Sequence, residues 1–263
     1  MRALAISLGL LAVSLVAADD AAVPAVTSDT TVATTATAVR VYPSGGEVPE
    51  NLLRLSLVFP AASAPGVLER TALRAADGTI LDRPFLQQEL WSPDGLTLTL
   101  LLHPGRVKSG LRAHDEAGRP LRFGEHVTLL LDGRALKTWL IGPACTEAPD
   151  PQRWSVQPPR AGTRDAVVVV LDVPIDAQAV DYLVIVSPRG ERVKGRATLA
   201  VGEQGWSLTP ETTWAEGPYR ILIHPRLEDP QGNALRHRFE QKAATLPADA
   251  GTPAEVRFHI GRS

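Results

Sequence analysis

The sequence predicts an all-β chain built as two tandem antiparallel β-sandwiches behind an N-terminal export signal. Three observations carry that prediction. Short runs of leucine and β-branched residues with period-2 alternation recur along the chain, each bounded by Gly, Pro, Asp or Asn. The order of those runs repeats once after about 100 residues, the mark of two similar units. No segment holds a helical period over three turns, and 22 Pro and 21 Gly against one Met favour strands and turns. At 263 residues the chain fits either two modest domains or one large β-domain, and the repeat selects the former.

Residues 1–18 come first. Arg2 precedes an uncharged run from Ala3 to Ala18 that ends in the small residues Val16, Ala17 and Ala18. This is the pattern of a cleaved signal peptide. The run is short of the ~20 apolar residues that span a bilayer. Asp19 and Asp20 follow it instead of a basic stop-transfer cluster. The expectation is export to the periplasm, cell surface or extracellular space, with no transmembrane segment in the mature chain. Residues 19–36 are rich in Ala, Thr and Val and read as a flexible tether, with an added strand through Thr30–Ala38 as the competing reading.

The strand runs then follow in order. Arg54–Phe59, Leu96–Leu102 and Val127–Leu131 belong to a first unit, residues 37–143. Val167–Leu171, Tyr182–Val186 and Tyr219–Ile223 belong to a second, residues 153–242. Val41-Tyr-Pro43 corresponds to Val156-Gln-Pro158, and the turn Asp77-Gly78 to Arg189-Gly190. Leu96–Leu102 corresponds to Trp206-Ser-Leu208, and Gly124–Asp132 to Gly217–His224. Ala135–Ile141 corresponds to Ala234–Phe239. Residues 144–152 form a short Pro-rich linker that permits limited hinge motion. The tail, residues 243–263, holds one spare strand, Glu255–Ile260, suited to a sheet edge of either unit or of a partner.

Two phrases of the second unit are Glu216-Gly217-Pro218-Tyr219-Arg220 before a strand and Leu227-Glu228-Asp229-Pro-Gln-Gly232-Asn233 before the next. On these the chain resembles the bacterial immunoglobulin-like domain of the surface-layer (SbsA) type. The first unit is similar but degenerate, with Phe123-Gly124-Glu125-His126 in place of G-x-Y. The whole chain also resembles a group of secreted two-domain bacterial proteins in which Pro49-Glu-Asn-Leu-Leu53 and Pro104-Gly-Arg-Val-Lys108 recur. The resemblance implies two tandem immunoglobulin-like domains and leaves the activity open, because such modules host many functions. Asp229, Gly232 and Asn233 read as a structural turn, since one D-P-Q-G-N loop offers too few carboxylates for calcium.

Composition excludes several function classes. With Lys and Arg at 27 against 29 Asp and Glu, the net charge of -2 gives no reason to expect nucleic acid as a partner. The single cysteine, Cys145, excludes an intrachain disulfide and multi-Cys metal sites. No G-x-S-x-G or H-E-x-x-H is present, so the expectation is a monomer that is not an enzyme and carries no cofactor. The candidate binding region is the stretch 103–122, twenty residues where the second unit spends seven. It carries Arg106, Lys108, Arg112, Arg119 and Arg122 against Asp115 and Glu116, with His103 and His114 beside them. It reads either as a docking surface or as a solvated loop whose charges pair internally. Trp91 is a second candidate, either stacking on a sugar or packing in the core. The ligand is then an unknown protein or a surface glycan. The rival class is a metal or redox accessory protein using His103, His114, His126 or Cys145, although adjacent donors on an extended chain point to opposite sides.

Overall fold

The computed structural model describes residues 38–235 and 254–262. The signal peptide read at 1–18, the tether at 19–36 and most of the strands considered at Thr30–Ala38 and Ala234–Phe239 lie outside the described residues.

The first unit holds eight strands: β1 (Arg40–Tyr42), β2 (Glu47–Pro49), β3 (Arg54–Val58), β4 (Thr71–Ala75), β5 (Leu90–Trp91), β6 (Thr97–Leu101), β7 (His126–Leu131) and β8 (Arg134–Gly142). One sheet runs β1-β3-β6-β5 and the facing sheet β2-β8-β7-β4. All pairs are antiparallel except β2 on β8. Alternation sends Leu55, Leu57, Leu98 and Leu100 of the first sheet inward against Leu73, Val127, Leu129 and Trp139 of the second. The second unit holds β9 (Ser155–Gln157), β10 (Val167–Val170), β11 (Leu183–Val186), β12 (Gly195–Leu199), β13 (Gly205–Pro210), β14 (Gly217–Ile223) and β15 (Ala254–Ile260). Its sheets run β9-β10-β13-β12 and β11-β14-β15, closed over Val167, Val169, Ile185, Trp206, Tyr219 and Ile221.

The order β1-β3-β6-β5 against β4-β7-β8 recurs as β9-β10-β13-β12 against β11-β14-β15. This is the strand order of an immunoglobulin-like sandwich. The chain is therefore all-β, two such sandwiches in tandem. Tyr219 supplies a further signature: its hydroxyl donates to the Ala215 carbonyl at 3.1 Å and accepts from the Ala215 amide at 3.2 Å. That is the tyrosine corner at the entry to the penultimate strand.

One correspondence differs from the sequence reading. The strand that occupies the place of β8 in the second sandwich is β15, not Ala234–Phe239: it pairs with β14 from Gly217↔Ile260 to Ile223↔Ala254. The reason is burial, since Phe258 and Ile260 point into the second core. Among the described residues the Asp229–Asn233 turn closes only the single bridge Glu228↔Ala234 and serves elsewhere.

The stretch 103–122 also differs from an extended charged loop. It folds into α1 (Pro104–Val107) and α2 (Arg112–Ala117), with Pro104 at the first helical position and Gly118 at φ 66° ending the second. Val107 and Leu121 enter the first core at 1% and 3% exposure, which anchors the helical pair over one end of the sandwich.

Candidate functional site

Strand alternation places Arg54, Ser56 and Thr99 on the outer face of the β1-β3-β6-β5 sheet, away from Leu55 and Leu98. A solvent face would leave the two hydroxyls open to water. Instead Ser56 and Thr99 are 4% and 7% exposed. The second sandwich covers them: Gln178, in the 3-10 segment Ala177–Tyr182, donates through Nε2 to Thr99 Oγ1 and to Ser56 Oγ at 3.4 Å.

Three sets of polar ties fix this junction. Arg54, at the start of β3, pairs with Asp176 at 3.5 Å and with Glu228. Desolvation opposes the Arg54 charge, but these two carboxylates outweigh it and raise its pKa. The second set joins the break between β1 and β2 to the β12–β13 turn. Ser44 donates to the Glu203 carboxylate from its amide at 3.0 Å and from Oγ at 2.5 Å, and accepts at Oγ from the Gly202 amide at 3.0 Å. Lys137 Nζ donates to the Ser44 carbonyl at 2.8 Å. A Cβ on Gly45 would stand 3.4 Å from Gly202 Cα, so the two backbones approach closely there. Burial pushes the Glu203 pKa up, against the hydrogen bonds from Ser44.

The third set is the Asp229 turn. Asp229 Oδ1 accepts from the amides of Gln231 at 3.0 Å and Asn233 at 2.7 Å, Oδ2 accepts from Asn233 Nδ2 at 2.7 Å, and Gly232 takes φ +86°. The turn so shaped presents the Pro230 carbonyl, which accepts from the amides of Leu53 and Arg54 at 3.0 Å each. Burial pushes the Asp229 carboxyl up to about 7, although Asn233, Gln231 and Arg54 pull it down.

The linker is tied to the first sandwich as well. Asn51 donates to the Cys145 carbonyl at 2.7 Å and accepts from the Cys145 amide at 2.9 Å. Further on, Asp172 accepts from Trp154 Nε1 at 2.8 Å and pairs with Arg153 at 2.6 Å.

Beside these ties lies a crevice of about 620 Å³ between the sandwiches. Arg54, Thr99, Leu90 and Leu101 line it on the first side, and Gln178, Tyr182, Arg226 and Glu228 on the second. The Tyr182 ring is held against His224, with centroids 4.9 Å apart.

The residues singled out from the sequence gather elsewhere. Arg106 donates to the carbonyls of Gly118 and Asp82 at 3.0 Å each, and His114 Nδ1 stands 2.7 Å from the Arg106 carbonyl oxygen. Arg119 pairs with Glu50 at 2.6 Å. Arg112 is exposed and pairs with Glu116 at 2.6 Å, while the Lys108 amide closes α1 on Pro104 at 3.0 Å. His114, Asp115 and Glu116 are helical, not extended as the sequence reading assumed. Trp91 turns toward the first core, with Nε1 donating to Glu89 at 2.9 Å and its ring 5.6 Å from Phe59, and borders the crevice where β5 ends. Among the described residues no group of three or more His, Cys, Asp or Glu side chains is placed to hold a metal, so His103, His114, His126 and Cys145 form no shared site. Burial raises the Cys145 thiol pKa. The junction residues Ser44, Arg54, Asp176, Gln178, Glu203 and Glu228 carried no sequence signal, because a covered outer face has the same alternation as a wet one.

No protein-family model matches the chain, and no curated protein matches it in sequence. Among solved structures it is similar to the titin domains Z1Z2 in complex with telethonin, at 12% identity over 87% of this chain and 98% of that one, with a TM-score of 0.25. It is also similar to domains 5-6 of the S-layer protein SbsC, at 10% identity over 86% and 97%, with a TM-score of 0.26. A pullulanase from Anoxybacillus sp. LM18-11 matches at 12% over 71% and 24%, with a TM-score of 0.22. Similarity at this level adds nothing to the strand order. Among the described residues no helix is long and apolar enough to cross a membrane.

Proposed function

We propose that the chain is an exported, non-enzymatic binding protein whose two immunoglobulin-like sandwiches are locked in one orientation, with the junction crevice as its binding site. The observation that carries this reading is the fixing of the crevice walls before any ligand arrives. Arg54 is held by Asp176 and Glu228, Gln178 by Thr99, and Tyr182 by His224. Walls set in advance lower the ordering cost of binding, and domain junctions are common places for such sites. Leu90, Leu101 and Tyr182 supply apolar surface, and the charges of Arg54 and Arg226 balance those of Asp176 and Glu228. That lining suits an uncharged, amphipathic surface, either a segment of a partner protein or a surface glycan. Export rests on the Arg2-to-Ala18 pattern, and a fusion of residues 1–30 to a phosphatase active only outside the cytoplasm tests it.

Capture of a partner from periplasmic extract by the full chain tests the site. Leu90→Arg and Tyr182→Ala are expected to lose it, while Arg112→Ala, at an exposed ion pair of α2, keeps it. Retention by both point variants, or loss in Arg112→Ala alone, would move the site away from the crevice.

A further inference from the structure

Four carboxylates of the second sandwich face the first across the junction, and they divide into two pairs. Asp176 and Glu228 share Arg54. Glu203 and Asp229 are the more deeply buried, at 1% and 0% exposure, and among the described residues neither forms an ion pair. Both sit on turns that dock directly on the first sandwich, at Ser44 and at Leu53–Arg54. Glu203 also holds a left-handed backbone, φ +55°, a conformation that costs a non-glycine residue about 1 kcal/mol and persists only where its surroundings impose it.

We propose that the junction is a proton-controlled latch: protonated Asp229 and Glu203 hold the two sandwiches together, and ionisation of both loosens them.

The charges around each acid set the direction. Asp229 meets Asn233 and Gln231 of its own turn, Arg54 from β3 and Cys145 from the linker. Glu203 meets Ser44, Lys137 from β8 and Asp176 from its own sandwich. Among the described residues, full ionisation therefore sets Asp176, Glu203, Glu228 and Asp229 against Arg54, Arg226 and Lys137, with Glu203 and Asp229 themselves closed to water. A buried carboxylate without a direct cation is costly when ionised, so the docked state favours the neutral form. Both pKa values are displaced upward, from 3.8 to about 7 for Asp229 and above 4.5 for Glu203. A raised value in the folded state gives stability that is complete below the unfolded value and is lost as pH rises through the folded one. The latch is tight near pH 5.5 and slackens above neutrality.

The amides of Leu53 and Arg54, which bond to Pro230, report on docking, and those paired between β3 and β6 report on the first sandwich alone. Hydrogen exchange of the full chain, corrected for intrinsic rates, is expected to show at least tenfold less protection at Leu53 and Arg54 at pH 8.5 than at pH 5.5. The β3–β6 amides are expected to stay constant. In the Asp229→Asn, Glu203→Gln double variant the two pH values should give equal protection. Equal protection in the unmodified chain, or an undiminished response in the double variant, overturns the latch. Should the double variant fail to fold, Ser44→Ala decides. It removes a donor that favours ionised Glu203, so loosening should shift to higher pH, and an unshifted transition overturns the proposal.

Discussion

The two sandwiches share a strand order but solve the same two connections differently. The first bridges β6 to β7 with the helical pair α1–α2 and drives Val107 and Leu121 into its core. The second bridges β13 to β14 with a short corner braced by the Tyr219 hydroxyl. The first passes from β7 to β8 through the turn at Asp132-Gly133, whereas the second takes about thirty residues from Ile223 to Ala254 before its last strand pairs. A sandwich order thus fixes which strands meet and leaves the connections free. In the second sandwich that freedom went into the Asp229 turn, which docks on the first.

The sharpest way to break the comparison is to end the chain at residue 253. Loss of Phe258, stacked on Tyr219 at 5.4 Å, and of fully buried Ile260 should cost about 4 kcal/mol or more and abolish exchange protection from β9 to β14. Protection from β3 to β8 should survive; an unchanged melting curve would show that β15 is dispensable. Next, Leu121→Ala should cost the first sandwich about 2–4 kcal/mol in urea unfolding, because it removes an anchor of the helical pair. A cost below about 1 kcal/mol would make α1–α2 a surface addition and not a core element. Arg54→Ala strips the cation from Asp176 and Glu228, and since its side chain is 26% exposed the loss should be about 2 kcal/mol. Small-angle scattering should then show a looser pair of sandwiches, and an unchanged profile would mean the other ties suffice. Tyr219→Phe should cost about 1 kcal/mol, read in the second sandwich alone. Arg112→Ala, at an ion pair with both side chains well exposed, should leave the melting temperature unmoved.

Much of the fold was legible because burial writes itself into alternation. Leu55 and Leu57, Val167 and Val169, and Phe258 and Ile260 each step by two, and each pair faces a core. The G-x-Y phrase marked Tyr219 through the corner chemistry it serves. The helical pair was hidden because α1 and α2 span four and six residues, too few to establish a period. The junction was hidden for a different reason. Ser56 and Thr99 are polar at outward positions, as a wet face requires, and only the tertiary placement of Gln178 shows that they are covered. Asp229 was readable as a turn, while its second task, offering Pro230 to Leu53 and Arg54, depends on a partner surface 175 residues earlier that no local pattern encodes.

The late arrival of β15 also sets a folding schedule. The first sandwich can close once residue 142 is present, since its last strands are joined by a tight turn. The second must bring Ala254–Ile260 back across about thirty residues, and on loop-closure grounds that costs about 2 kcal/mol more entropy than a two-residue turn. In a chain that emerges N-terminus first, the first sandwich is therefore complete while the second still lacks an edge. Its outer face, with Leu53, Arg54, Ser56 and Thr99 waiting, is then a template on which the second sandwich can dock before it is finished.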